Sequence, residues 1–493
     1  MASMYHSTRS TVKECSAKRA VLDGLAPDGG LYVTDALGET SIDLDRVVAQ
    51  TYSENAALIL KTLLDDYTDE EISSCVEAAY GNTFAAKETT PVVSVGDDYV
   101  LELFHGPTSA FKDVALQMLP QLMSRAAALA SERIMILAAT SGDTGKAALA
   151  GFADTPGLGI TVFFPHGGTS EIQRLQMVTQ HGDNVAVGAV HGNFDDTQSA
   201  VKRIFSDKEL QARLREQGIV LSSANSINIG RLAPQVVYYF DAYAQLVRQG
   251  AIKCGDKIDF CVPTGNFGDV LAGYFALRMG LPVRKLIVAS NANNVLTDFL
   301  TTGVYDRNRP FHKTISPSMD ILISSNLERL LYYMSDGNAD LVAKLMDDLA
   351  QTGRYEVPTD MLERIQAIFS CGFAGDDEAR TAMKECFEET GYVLDPHTAV
   401  AWRVSQNTPK ADGVARVVLS TASPYKFCRD VCRALGLPAE GNDFDCMREL
   451  ESASKTEAPE ALAALENATV RFDDVMDADE MPLYVERKCG DLL

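Results

Sequence analysis

Along the chain, the first patterned region is a turn-rich stretch, GLAPDGGLYV (residues 24–33). Two runs follow, over 43–62 and 69–80, in which Leu, Ile, Val and Ala recur every three to four positions. That spacing predicts two amphipathic helices. From about 96 to 290 the pattern becomes short apolar runs, each followed by a helical segment. Strands are predicted at 99–104, 134–139, 160–164, 185–190, 219–222, 258–262 and 286–289, with helices at 170–180, 196–206 and 229–248. Such alternation predicts an α/β fold of parallel sheets covered by helices on both faces. The stretch 325–390 reads as helical and acidic, a strand–turn–helix unit follows at 414–435, and the acidic last fifty residues read as a peripheral cap. The domains expected are 1–95, then 96–440 with a helical insertion at about 325–390, then 441–493. In such a fold the chemistry belongs where loops leave the carboxyl ends of the strands.

Composition narrows the classes of function. At 493 residues, with 46% hydrophobic and 23% charged residues, the chain is an ordinary globular one. It carries 44 basic against 68 acidic residues, a net charge of −24, with no run of Lys or Arg. A nucleic-acid or anionic-membrane partner is therefore disfavoured. Ten scattered cysteines form no C-x-x-C, which reads as reduced, cytosolic usage. The first twenty residues lack an apolar signal core and no run is long enough to span a membrane, so the cytoplasm is the expected compartment. Seven histidines offer no H-x-x-x-H, and G-x-S-x-G is absent, so neither a metal centre nor a serine-hydrolase elbow is supported.

Four strand-to-helix turns carry the candidate chemistry. In HGPTSAFKD (105–113), Lys112 stands at the head of an apolar segment, although Pro120 should kink or shorten the helix. Taken alone, such a lysine is a solvated helix residue. At a buried helix start its ammonium is disfavoured, and a depressed amine can form a Schiff base and move protons. ATSGDTGK (139–146) sets glycines and hydroxyls at a helix head, a nest for a carboxylate or a plain turn; Thr140 and Ala147 break the P-loop pattern. PTGNFGD (263–269) has the form of a phosphate cradle but lacks G-x-G-x-x-G. In STASP (420–424) a hydroxyl could meet a neutral ring nitrogen or simply cap a helix. Separately, SANSINIGR (223–231) is dense in polar groups and fits a second anion site.

Together these turns resemble the threonine synthases, pyridoxal-phosphate enzymes of the tryptophan-synthase-β (type II) fold. HGPTSAFKD, ATSGDTGKAA, SANSINIGR, PTGNFGD and STASPYKF match in the family's order, as do the early YHSTRS and APDGGLYV and, less specifically, SPSMDI (316–321). The long N-terminal domain and late helical segment resemble the fungal and enterobacterial branch, which generally lacks the plant enzymes' effector site. The resemblance implies that Lys112 holds pyridoxal 5'-phosphate. It implies that Gly265, Asn266, Phe267 and Gly268 bind the cofactor phosphate and that Thr421 contacts the ring nitrogen. Ser141, Gly142, Asp143, Thr144 and Gly145 would line the substrate carboxylate. Ser226, Asn228 and Arg231 would receive the substrate phosphate, with Lys146 a weaker candidate. The implied reaction turns O-phospho-L-homoserine and water into L-threonine and phosphate, in a chain taken as a monomer by analogy with that branch. A dehydratase, a phospho-lyase of the same fold and a silent phosphate-ligand binder are the alternatives. A second anion site argues against the dehydratase and an intact lysine turn against the silent binder.

Overall fold

A computed structural model describes residues 4–140 and 142–493. Two parallel sheets organise it. The larger has six strands in the spatial order Phe369–Phe373, Val283–Ser290, Ile258–Pro263, Ala415–Ser420, Asp98–Glu102, Val92–Val95; all pairs are parallel except the last. The smaller has five parallel strands in the order Val475–Met476, Val185–Val190, Leu158–Pro165, Arg133–Ala139, Ile219–Ser222. The α/β class read from the alternation is the architecture observed. Among the described residues no helix is long and apolar enough to cross a membrane.

Residues that alternate along a strand face opposite sides of a sheet. In the smaller sheet, Met135 and Leu137 join one apolar cluster while Ile134 and Ile136 join another. Both faces are therefore buried, as parallel sheets require. The helix Ile229–Arg248 is buried almost all round, with 18 buried residues. It packs against the helices Tyr52–Leu63, Lys112–Ala130 and Gly268–Arg278, and so joins the N-terminal helices to both sheets.

Several segments depart from the periodicity. The predicted helix over 43–62 is two, Leu44–Ala49 and Tyr52–Leu63, because Thr51 and Glu54 form a reciprocal capping box that starts the second. The helical, acidic stretch 325–390 contains the strand Phe369–Phe373, which closes one edge of the larger sheet. The last residues do more than cap. Val475–Met476 pairs with Ala189–Val190, and the helix Met481–Leu492 covers the outer face of the smaller sheet.

Pro120 does not end its helix, which runs on from Lys112 to Ala130. Proline lacks the N–H that would bond the carbonyl of Leu116. At that carbonyl the neighbouring helix Asp143–Phe152 presents Gly151, where a Cβ would lie 1.8 Å from the Leu116 oxygen. Glycine there lets the two helices touch backbone to backbone, and their first residues are Lys112 and Asp143.

Candidate active site

Lys112 is the first residue of its helix and is 8% exposed. The turn before it is fixed from within: Thr108 donates through its N–H (2.8 Å) and hydroxyl (2.6 Å) to the two oxygens of Asp113. It is also tied to the loop leaving the strand Ala415–Ser420. The Phe111 N–H donates to the Thr421 carbonyl (2.9 Å), and the Ser423 N–H to that of Ser109 (3.0 Å). Lys112 and Thr421, more than three hundred residues apart in sequence, thus lie side by side, and the Thr421 hydroxyl bonds no other described residue. Burial pushes the Lys112 amine down to about 8; Asp143 opposes the shift, while Lys426 and Arg231 add to it.

Lys112 Nζ donates to Ser318 Oγ (3.3 Å) and stands 3.7 Å from Asp143 Oδ2. Asp143 is itself buried, and its other oxygen is 2.7 Å from Lys426 Nζ, whose side chain has no exposure. Burial works to raise this carboxyl, but Lys426 and Lys112 outweigh it and hold the group well below the usual carboxylate range. Ser318 Oγ also donates to Asp143 Oδ2 (3.3 Å), and the Ser318 N–H donates to His397 Nε2 (3.1 Å). An accepting Nε2 assigns the ring proton to Nδ1, which donates to Asp395 at 2.8 Å.

The turn around Asp143 is built for an anion at its backbone. Gly142 takes a φ of +148°, and a side chain there would strike the Gln173 amide at 2.5 Å. The N–H groups of Gly142 and Gly145 are taken by Thr140 Oγ1 (3.0 Å each), which leaves the first-turn amides of Asp143 and Thr144. Ser141 lies outside the described residues. The cradle over 265–268 is formed by Phe267 in the left-handed region (φ +61°), followed by the start of the helix Gly268–Arg278. Its first-turn amides face no side-chain cap, the donor set that a phosphate needs. Gly265 serves a further purpose: a Cβ there would meet the Ser318 carbonyl at 2.8 Å, so glycine lets the segment bearing Ser318 approach Lys112.

Arg231 is buried, and its Nη1 donates to the Ala224 carbonyl (3.0 Å) while Nε has no partner. No carboxylate pairs with it among the described residues, and burial lowers it to about 10. A buried, unpaired guanidinium beside Lys112 suits an incoming dianion. Asn326 joins this side to the cradle: its N–H donates to the Asn266 carbonyl (3.1 Å) and its Nδ2 to that of Ser226 (3.1 Å).

Several residues expected to face substrate have side chains engaged within the fold, among them Ser226, whose hydroxyl donates to Asn225 Oδ1 at 3.2 Å. Asn228 caps the helix Ile229–Arg248 by accepting from the Gly230 N–H (2.9 Å), and its Nδ2 donates to the Val21 carbonyl (2.9 Å). The Asp143 carboxylate is occupied by the two lysines. Lys146 is half-buried and donates to Gln180 Oε1 (2.5 Å), and burial lowers it to about 8. Ser318, His397 and Lys426 were not singled out from the sequence, although SPSMDI and STASPYKF contain the first and the last.

Fold and site together define an enzyme that uses pyridoxal phosphate. The family profile described as pyridoxal-phosphate dependent enzyme matches residues 96–420. Profiles for the threonine synthase N terminus and C-terminal region match 4–80 and 398–483. Threonine synthase of Pseudomonas aeruginosa is 39% identical over 87% of this chain and 90% of its own. A crystal structure of pyridoxal-phosphate-bound threonine synthase from Brucella melitensis superposes with a TM-score of 0.89 at 36% identity, covering 99% of this chain and 100% of that one. The chain belongs to the threonine synthase family. The human protein named threonine synthase-like 1 is 41% identical over 84% of this chain but is longer; the chain spans 57% of its length.

Proposed function

We propose that this chain is a threonine synthase, converting O-phospho-L-homoserine and water into L-threonine and phosphate. The observation that carries the reading is Arg231: a buried guanidinium without a carboxylate partner among the described residues, close enough to Lys112 to depress it. A dehydratase acting on an unphosphorylated amino acid has no use for it.

In this reading Lys112 and the first-turn amides of Gly268 and Asp269 hold pyridoxal phosphate, with the Thr421 hydroxyl toward its ring nitrogen. When bound, the cofactor supplies an electron sink for the charge left when a proton leaves the substrate's α-carbon. Lys112, an amine near 8, is suited to take that proton, return it and serve again at the β-carbon. The amides of Asp143 and Thr144 bind the substrate carboxylate, whereas the Asp143 side chain repels it and keeps it on the backbone. Arg231 and Ser226 hold the γ-phosphate and steady it as it leaves. Water then supplies the β-hydroxyl. The same reading takes the enzyme as a cytoplasmic monomer, which ten free cysteines and the likeness to the fungal and enterobacterial branch support.

The deciding experiment gives purified protein and cofactor O-phospho-L-homoserine, and quantifies phosphate and amino-acid products together. Equal threonine and phosphate, lost in Lys112→Ala, is the expected result. Phosphate with 2-oxobutanoate would make the protein a phospho-lyase, and no phosphate would remove the reading.

A further inference from the structure

The interior holds a lysine that the reaction above does not use. Lys426 lies on the short turn Pro424–Phe427 just after the strand Ala415–Ser420, and its side chain is wholly buried. Its Nζ is 2.7 Å from Asp143 Oδ1 and donates to the Thr108 carbonyl at 3.1 Å. Asp143 turns its second oxygen toward Lys112, but at 3.7 Å, and Ser318 Oγ bridges the two at 3.3 Å from each. Two ammonium groups therefore share one buried carboxylate, and the closer one, Lys426, has no other anion in contact among the described residues.

We propose that Lys426 is a positioning residue for Lys112, acting through Asp143 to leave the reacting amine without an ion pair of its own. This rests on Lys112 being the reacting amine. A buried carboxylate facing a single lysine would hold that lysine as a tight ammonium, which is neither nucleophile nor base. With Lys426 in contact, the charge of Asp143 is already matched, so the proton on Lys112 is the one released. The second contact fixes the position as well as the charge, because Thr108 belongs to the turn that leads into Lys112. The other charged groups around Lys112 act in known directions. Arg231 adds to the push, Lys112 opposes the burial that raises Asp269, His397 accepts from the Ser318 N–H beside Asp143, and Asp113 is engaged by Thr108.

The test reads the amine itself. In the full chain freed of cofactor, carbamylation of Lys112 by cyanate is followed against pH by mass spectrometry of its peptide. Lys426→Met should raise the midpoint of reactivity by about one pH unit or more, so that labelling at neutral pH falls roughly tenfold. Lys426→Gln, which keeps a donor without the charge, should move it as far, and Lys426→Arg should leave it near the wild-type value. If Lys426→Met does not fold, Lys426→Gln decides. An unmoved midpoint in the neutral variants, or an equal shift in Lys426→Arg, would overturn the proposal. No substrate is involved, so the result is independent of whether the reaction is a synthase or a lyase.

Discussion

Replacing Gly151 by alanine tests how the helices begun by Lys112 and Asp143 are held. Alanine at a helix interior normally stabilises by about 1 kcal/mol over glycine. Here the added Cβ would stand 1.8 Å from the Leu116 oxygen and 2.7 Å from its carbonyl carbon, both backbone atoms. The helices must part by more than an ångström to restore a normal contact. Overpacking of a well-filled core costs about 1–3 kcal/mol, and backbone that cannot rotate away belongs at the upper end. The net expectation is a destabilisation of about 2 kcal/mol, with a fall in turnover, because Lys112 and Asp143 begin the two helices being pushed apart. Gly490 is the control: it lies in the helix Met481–Leu492 and a Cβ there meets nothing within 4 Å. Urea unfolding followed by far-ultraviolet circular dichroism should give midpoints on opposite sides of wild type, lower for Gly151→Ala and level or higher for Gly490→Ala. Equal midpoints for the two would refute the backbone contact as the reason for glycine at 151.

Arg231→Met should raise KM for the phosphorylated substrate at least tenfold, an estimate of about 1.5 kcal/mol or more for one charge-assisted contact, with a smaller change in kcat. If kcat alone falls, Arg231 acts in the transition state. Burial pushes the Asp269 carboxyl up to about 6, while Tyr238 and Tyr239 donate to its Oδ1 and oppose the shift. Its folded value exceeds the unfolded one, so the native state binds the extra proton and stability falls as pH rises from about 4 to 6. Asp269→Asn should therefore stabilise the cofactor-free chain by up to about 3 kcal/mol at pH 7 and by little at pH 4; a pH-independent effect on thermal unfolding would contradict this. The net charge of −24 should repel a phosphorylated substrate, so raising ionic strength to about 0.15 M should increase kcat/KM. A steep fall with salt would mean that local positive groups guide the substrate instead.

Much of this architecture can be read from the chain because apolar spacing and caps agree. The strands Val185–Val190 and Ile219–Ser222 and the helix Ile229–Arg248 lie where periodicity puts them, the last started by Asn228. Other parts answer to tertiary contacts. Pro120 is tolerated because Gly151 meets the carbonyl it leaves unbonded, and nothing local to residue 120 signals that. Phe369–Phe373, with the sequence FSCGF, is too short and mixed to announce a strand until the neighbouring strand Val283–Ser290 supplies its partner. At the site, the turns carrying Lys112, Gly265 and Arg231 are visible as glycine- and hydroxyl-rich helix heads. Ser318, His397 and Lys426 are not, because single polar residues acquire meaning only when distant segments converge on Asp143.

The strand Val475–Met476 and the helix Met481–Leu492 complete a sheet whose other strands are all in place by residue 222. A ribosome adding about 5–20 residues per second needs on the order of fifteen seconds to a minute to cover that interval. Throughout it, Phe163, Ala186 and Val190 lack the cover of Met476, Met481 and Tyr484. The smaller sheet is thus the part of the molecule begun early and sealed last. During synthesis its outer face is the surface a chaperone or a protease meets first, until Val475–Met476 and Met481–Leu492 have been made.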